Sequence, residues 1–184
     1  MASMSRLLGW TAALALLTSV AATASAQPGR FELGGGVGFI ESDRLTDGYA
    51  GGWLLDGGWR FAPGLTAIVE GSRHRLTQDV GFFDTQVTYD TIAAGIRLRF
   101  GRDGLVPYVQ ILGGSSRIAI SSRMTTPVVA VGEDSAVHTA LQLGGGLETP
   151  LGGPATLRVG LDYRRVLADV TLDQLRFSTA VVFR

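Results

Sequence analysis

Leu157-Arg158-Val159-Gly160-Leu161-Asp162-Tyr163-Arg164 decides how the rest of the chain is read. Successive side chains of an extended strand point to opposite faces. Leu157, Val159, Leu161 and Tyr163 therefore share one face, and Arg158, Gly160, Asp162 and Arg164 share the other. One face is continuously apolar, and the other holds charge and glycine.

The same scheme recurs along the chain. Phe31, Leu33, Gly35, Val37 and Phe39 oppose Glu32, Gly34, Gly36 and Gly38, while Trp53, Leu55, Gly57, Trp59 and Phe61 oppose Gly52, Leu54, Asp56, Gly58 and Arg60. Leu65 to His74 places Glu70 and His74 on its polar face, and Thr91 to Phe100 places Arg97 and Arg99 there. Pro107 to Gly114, Ala140 to Glu148 and Arg176 to Phe183 complete the set, with Glu148 and Arg176 on polar faces. In the last segment Ala180 and Val182 fall on the otherwise polar face, which makes it the least regular. No segment after Gln27 has helical periodicity, and none there is apolar over the roughly 20 residues that a membrane helix needs.

Connection lengths carry an independent signal. Ala62-Pro63-Gly64, Gly101-Arg102-Asp103-Gly104 and Thr149 to Ala155 are short, whereas 41–49, 76–84, 118–135 and 166–173 are long. Short and long alternate strictly. Tight periplasmic turns and longer extracellular loops produce this alternation in bacterial membrane barrels. The expected fold is all-β, an eight-stranded antiparallel up-and-down transmembrane β-barrel over residues 27–184, with both ends in the periplasm. Within Met124 to Val131 the residues are apolar for a loop, and strand extension is favoured there over a partner-binding segment.

The first 26 residues read as a cleaved signal peptide. Arg6 supplies a positive charge, Leu7 to Val20 an apolar run, and Ala24-Ser25-Ala26 a small-x-small cleavage site. The outer membrane is the expected location.

Outward faces within these segments carry no charge, as a lipid environment demands, since a charge at the midplane costs about 2–4 kcal/mol. Inward faces carry Glu32, Asp56, Glu70, Glu148 and Asp162 together with Arg60, Arg97, Arg99, Arg158, Arg164 and Arg176. An eight-stranded barrel is just wide enough for side chains to fill, so these charges are expected to pair into a plug. For Arg97 and Arg99 the expected partners are Glu70 and Asp56. Phe31, Phe61, Phe100 and Phe183 fit one aromatic girdle, and Phe39, Trp53 and Tyr163 the other.

The 184 residues carry 16 cations, all arginine, against 16 acids, so net charge is zero and no nucleic-acid partner is indicated. Cysteine is absent, which removes disulfides, thiolate metal sites and thiol catalysis. His74 and His138, with Glu70 or Ser116, admit a hydrolytic site near the barrel mouth, but no spacing is diagnostic, and polar mouth residues are the default. No catalytic residue, cofactor or metal is expected. Gly34-Gly35-Gly36-Val37-Gly38 has no following helix and is not a nucleotide loop.

Val106-Pro107-Tyr108-Val109-Gln110, Leu141 to Gly146, Leu157 to Arg164, and Leu175 to Thr179 running to Val182-Phe183 resemble the small outer-membrane β-barrel domain family, the OmpA-like or porin-like eight-stranded barrels of Gram-negative bacteria. The resemblance implies a non-enzymatic envelope, structural or surface-interaction role. It also implies contact with outer-membrane lipid, lipopolysaccharide and the assembly machinery, which reads a terminal aromatic; here the aromatic, Phe183, stands one place early, before Arg184. A monomer is expected. The alternatives are a narrow small-solute channel, an outer-membrane lipid hydrolase, and a soluble periplasmic ligand-binding barrel.

Overall fold

The alternating segments pair in chain order as antiparallel hairpins. They are β1 (Phe31–Ser42), β2 (Tyr49–Ala62), β3 (Leu65–Val80), β4 (Phe83–Arg99), β5 (Val106–Thr125), β6 (Val128–Gly152), β7 (Ala155–Leu167) and β8 (Leu172–Phe183). β1 also pairs with β8, from Leu33 opposite Phe183 to Ser42 opposite Gln174, and this closes the sheet into a barrel. Closure gives the backbone groups of both outer strands a partner. The computed structural model describes residues 30–42, 49–80, 83–101, 104–125, 128–168 and 171–184. The expected signal segment 1–26 and its cleavage site lie outside these.

Burial is inverted relative to a water-soluble barrel. Outward-facing Ile92, Ile111 and Leu143 are 61%, 63% and 60% exposed, whereas inward Arg97, Arg164 and Arg176 are each 1% exposed. The apolar outer band runs around all eight strands. At one end, where β1 begins and β8 finishes (the near end), it is bordered by Phe31, Trp59, Phe61, Phe100 and Phe183. At the far end Phe39, Trp53 and Tyr163 lie at its edge. Just beyond them the outward face turns ionic: Arg73 pairs with Asp90, and Arg165 pairs with Asp173 at 2.8 Å. Aromatic rims followed by charge mark the two limits of a lipid-facing belt.

Two expected loops are strand instead. β3 runs on to Val80 and β4 starts at Phe83, while β5 reaches Thr125 and β6 starts at Val128. The reason is an exchange of polarity between the two faces at the belt's far edge, with strand parity unchanged. Ile40, Ala50, Val87, Tyr89, Ile118, Ala140, Val166 and Leu172 turn inward and form an apolar cluster, with Leu76 packed against it. The opposite faces of these strands carry Arg73, Asp90, Arg117 and Arg165. The far part of the barrel is thus built like a soluble one, apolar inside and polar outside. The strand extension expected near Met124–Val131 is present on either side of residues 126–127, in β5 to Thr125 and in β6 from Val128.

The irregular last strand is resolved by its neighbour. Inward Ala180 and Val182 are 5% and 0% exposed, and lie opposite Gly36 and Gly34 of β1. A Cβ on Gly36 would meet the Thr179 carbonyl oxygen at 2.0 Å. Glycine on β1 is what lets β8 carry side chains at this narrow seam.

Candidate functional site: an ion-paired barrel interior

Strand alternation delivers the charged side chains into a lumen with no room for bulk water, where each must find a partner. Glu32 of β1 is the hub of the near layer. Its Oε1 accepts from Arg97 Nη1 at 3.0 Å and from Arg158 Nη2 at 3.2 Å, and its Oε2 accepts from Arg99 Nη1 at 3.0 Å. Asp56 Oδ2 accepts from the same Arg97 at 3.0 Å and from Arg158 at 2.6 Å. Glu148 accepts from Arg158 Nε at 2.8 Å, and Thr66 accepts from Arg99 at 2.7 Å. Between Arg97 and Arg158 stands the ring of Tyr108, whose centroid is 5.3 Å and 5.7 Å from the two guanidinium carbons, a doubled cation–π contact.

The middle layer has its own carboxylates. Glu70 takes two hydrogen bonds from Arg176, which also donates to Asp162 Oδ2 at 2.7 Å. Arg164 donates to Gln142 Oε1 at 3.0 and 2.9 Å and to Thr91 at 3.0 Å. Gln110 joins the layers, accepting from Arg97 Nε at 2.9 Å and donating to Asp162 at 2.8 Å. A void lined by Asp56, Glu70, Tyr108 and Gln110 measures about 10 Å³, the scale of one water. Above it sits the apolar cluster of the far end. Among the described residues, side chains occupy the lumen from the near layer to the far apolar cluster.

All the interior charges expected from the sequence except Arg60 are brought into this network. Arg60 lies at the near mouth, half-buried, with no carboxylate in ion-pair contact among the described residues. It is the last β2 residue in regular register, opposite Thr66 and just before the shift between Arg60 and Ala62, and so stands at the near end of the strand. Its expected place is taken by Arg184, which ion-pairs with Glu32 at 3.1 Å and with Glu148. Arg184 has the same parity as Ala180 and Val182, so extending the alternation one step past the strand would have found it. The expected pairing of Arg97 and Arg99 is also corrected. Arg97 takes Asp56 and Glu32, Arg99 takes Glu32, and Glu70 goes across the lumen to Arg176. Register explains this, because Arg97 lies opposite Thr66, four residues nearer the mouth than Glu70.

The histidines are not assembled with a serine. His74 is fully buried, and neither ring nitrogen has a hydrogen-bond partner among the described residues. Ser116 Oγ lies 3.1 Å from Thr91 Oγ1, and His138 is half-exposed opposite Ser116 on the neighbouring strand.

The outer membrane protein beta-barrel domain matches residues 10–183 of the chain. The chain belongs to this family. Solved structures agree in fold. Neisserial surface protein A superposes with a TM-score of 0.65 at 14% identity, covering 83% of this chain and 96% of that one. Ail, the attachment invasion locus protein of Yersinia pestis, solved in complex with the heparin analogue sucrose octasulfate, gives 0.56 at 17% identity over 84% of this chain and 97% of that one. The N-terminal β-barrel domain of Pseudomonas aeruginosa OprF gives 0.50 at 14% identity over 83% and 97%. No curated protein matches the chain in sequence. Within the outer-membrane family, then, this member is an eight-stranded barrel with an ionically filled lumen.

Proposed function

We propose that the protein is a non-enzymatic, non-conducting outer-membrane barrel with a structural or surface-interaction role. The occupied lumen carries this reading: two ion-paired layers joined through Gln110, with a void of about 10 Å³ among the described residues between them, under an apolar cluster. In this reading residues 1–26 are removed on export, both termini face the periplasm and the far end faces outside.

The surface offered to partners is then the far end. β6 first pairs with β7 at Thr139 opposite Leu167, so its residues 128–138 stand beyond that strand, and together with β3, β4 and β5 they form a wall above the belt. Lipopolysaccharide is the natural neighbour of the far rim in this reading, where the exposed Arg75 and Arg117 beside the apolar belt offer guanidinium groups to its phosphates. Planar-bilayer recording tests the proposal. The purified barrel should stay silent, whereas steady conductance altered by Arg97→Ala would replace this reading with the channel.

A further inference from the structure

The interior charges do not balance evenly along the barrel axis. In the middle layer two carboxylates, Glu70 and Asp162, face two guanidinium groups, Arg164 and Arg176. In the near layer Glu32, Asp56 and Glu148 face Arg97, Arg99, Arg158 and Arg184. Arg60 and Arg30 add two more cations at the mouth, neither in ion-pair contact with a carboxylate among the described residues. Among the described residues three acids thus stand against six arginines, a surplus of three positive charges. The whole surplus sits at the near end.

It lines a vestibule. Arg30, Arg60, Arg99 and Arg184 open onto a cavity of about 650 Å³ whose rim includes the aromatic side chains of Trp59 and Phe61. Among the described residues Glu148 is the one carboxylate on its wall, and it is already held by Arg158 and Arg184. Like charges gathered in a concave, low-dielectric mouth raise the local concentration of counter-ions. Guanidinium forks match the geometry of phosphate oxygens. We infer that this vestibule binds a phosphate-bearing anion, held chiefly by Arg30 and Arg60. The aromatic rim faces the lipid belt, so the phosphate can belong to a lipid headgroup of the adjoining leaflet as well as to a free anion.

The inference is independent of whether the barrel conducts. It is tested on the mature barrel in two settings. Inorganic pyrophosphate is titrated calorimetrically into barrel held in phosphatidylcholine nanodiscs. Separately, lipid retention is read by native mass spectrometry after exchange into discs containing phosphatidylglycerol. Pyrophosphate binding identifies a soluble anion as ligand. Retained phosphatidylglycerol without pyrophosphate binding identifies the headgroup.

In either case Arg30→Gln/Arg60→Gln should weaken binding about tenfold or more, the scale of one lost charge-assisted hydrogen bond. Arg117→Gln, an equal charge change on the far outer face, should leave it unaltered. Among the described residues neither Arg30 nor Arg60 holds a carboxylate, so the double variant should keep its heat-dependent gel mobility. If it does not, Arg30→Gln alone and the wild-type titration decide. No binding of either probe, or undiminished binding by the arginine variant, overturns the inference.

Discussion

Glu32→Gln is the most informative change to the interior. The glutamate side chain is 2% exposed and receives Arg97, Arg158, Arg99 and Arg184 on its two oxygens. Glutamine preserves the shape but removes the charge and turns one acceptor into an amide donor aimed at guanidinium groups. Asp56 and Glu148 are then left to neutralise four arginines. Removing one member of a buried ion pair costs about 3–5 kcal/mol, because the stranded charge has no water to return to. At a slope of roughly 2 kcal/mol per molar urea this lowers the unfolding midpoint by about 2 M. Equilibrium unfolding in lipid vesicles, followed by tryptophan fluorescence, measures it directly, since Trp53 and Trp59 lie on the lipid-facing surface. Adding Arg184→Gln should recover part of the loss, with a coupling of about 0.5–3 kcal/mol. Arg184 retains some exposure, its side chain being 21% accessible, so the recovery is incomplete. A Glu32→Gln barrel within about 1 kcal/mol of wild type would refute the reasoning that these charges are desolvated and mutually dependent.

Two further outcomes follow from the faces of the strands. Leu143→Arg and Val159→Arg, on the outward apolar belt, should each cost about 2–4 kcal/mol and sharply reduce the heat-shifted species on detergent gels, while a polar replacement of inward Gln142 is tolerated. Gly36→Ala should impair assembly, because its Cβ would collide with the Thr179 carbonyl oxygen, whereas outward Gly57→Ala has nothing within 4 Å to meet and should assemble normally on the same gels.

The sequence was most legible where lipid imposes one rule on every strand. An apolar outward face and a charged or glycine inward face repeat from Phe31 to Phe183, and strand number and lumen contents follow from them. It was least legible beyond the belt. There Val87, Tyr89 and Ile118 obey the opposite rule, so an alternation read with a single phase breaks off and leaves apparent loops at 76–84 and 118–135. Pair identity was legible only in kind. Inward parity gives the set of charges, but which arginine meets which acid depends on strand stagger, and stagger sends Glu70 to Arg176 rather than to Arg97. The place of Arg60 at the mouth and the entry of Arg184 are end effects, the first at the last regular pair of β2 and the second one residue past β8.

Site-directed spin labelling tests the two-part barrel most directly, because the chain has no native cysteine to remove. Single cysteines at Leu143 and Leu161, at Thr88 and Ser135, and at Gln142 would be labelled in lipid vesicles and their access to oxygen and to a water-soluble nickel complex compared. The account predicts oxygen but not nickel access at 143 and 161, nickel access at 88 and 135, and neither at 142. Nickel reaching 143 and 161 would mean a barrel standing in water. Nickel reaching 142 would mean an open lumen.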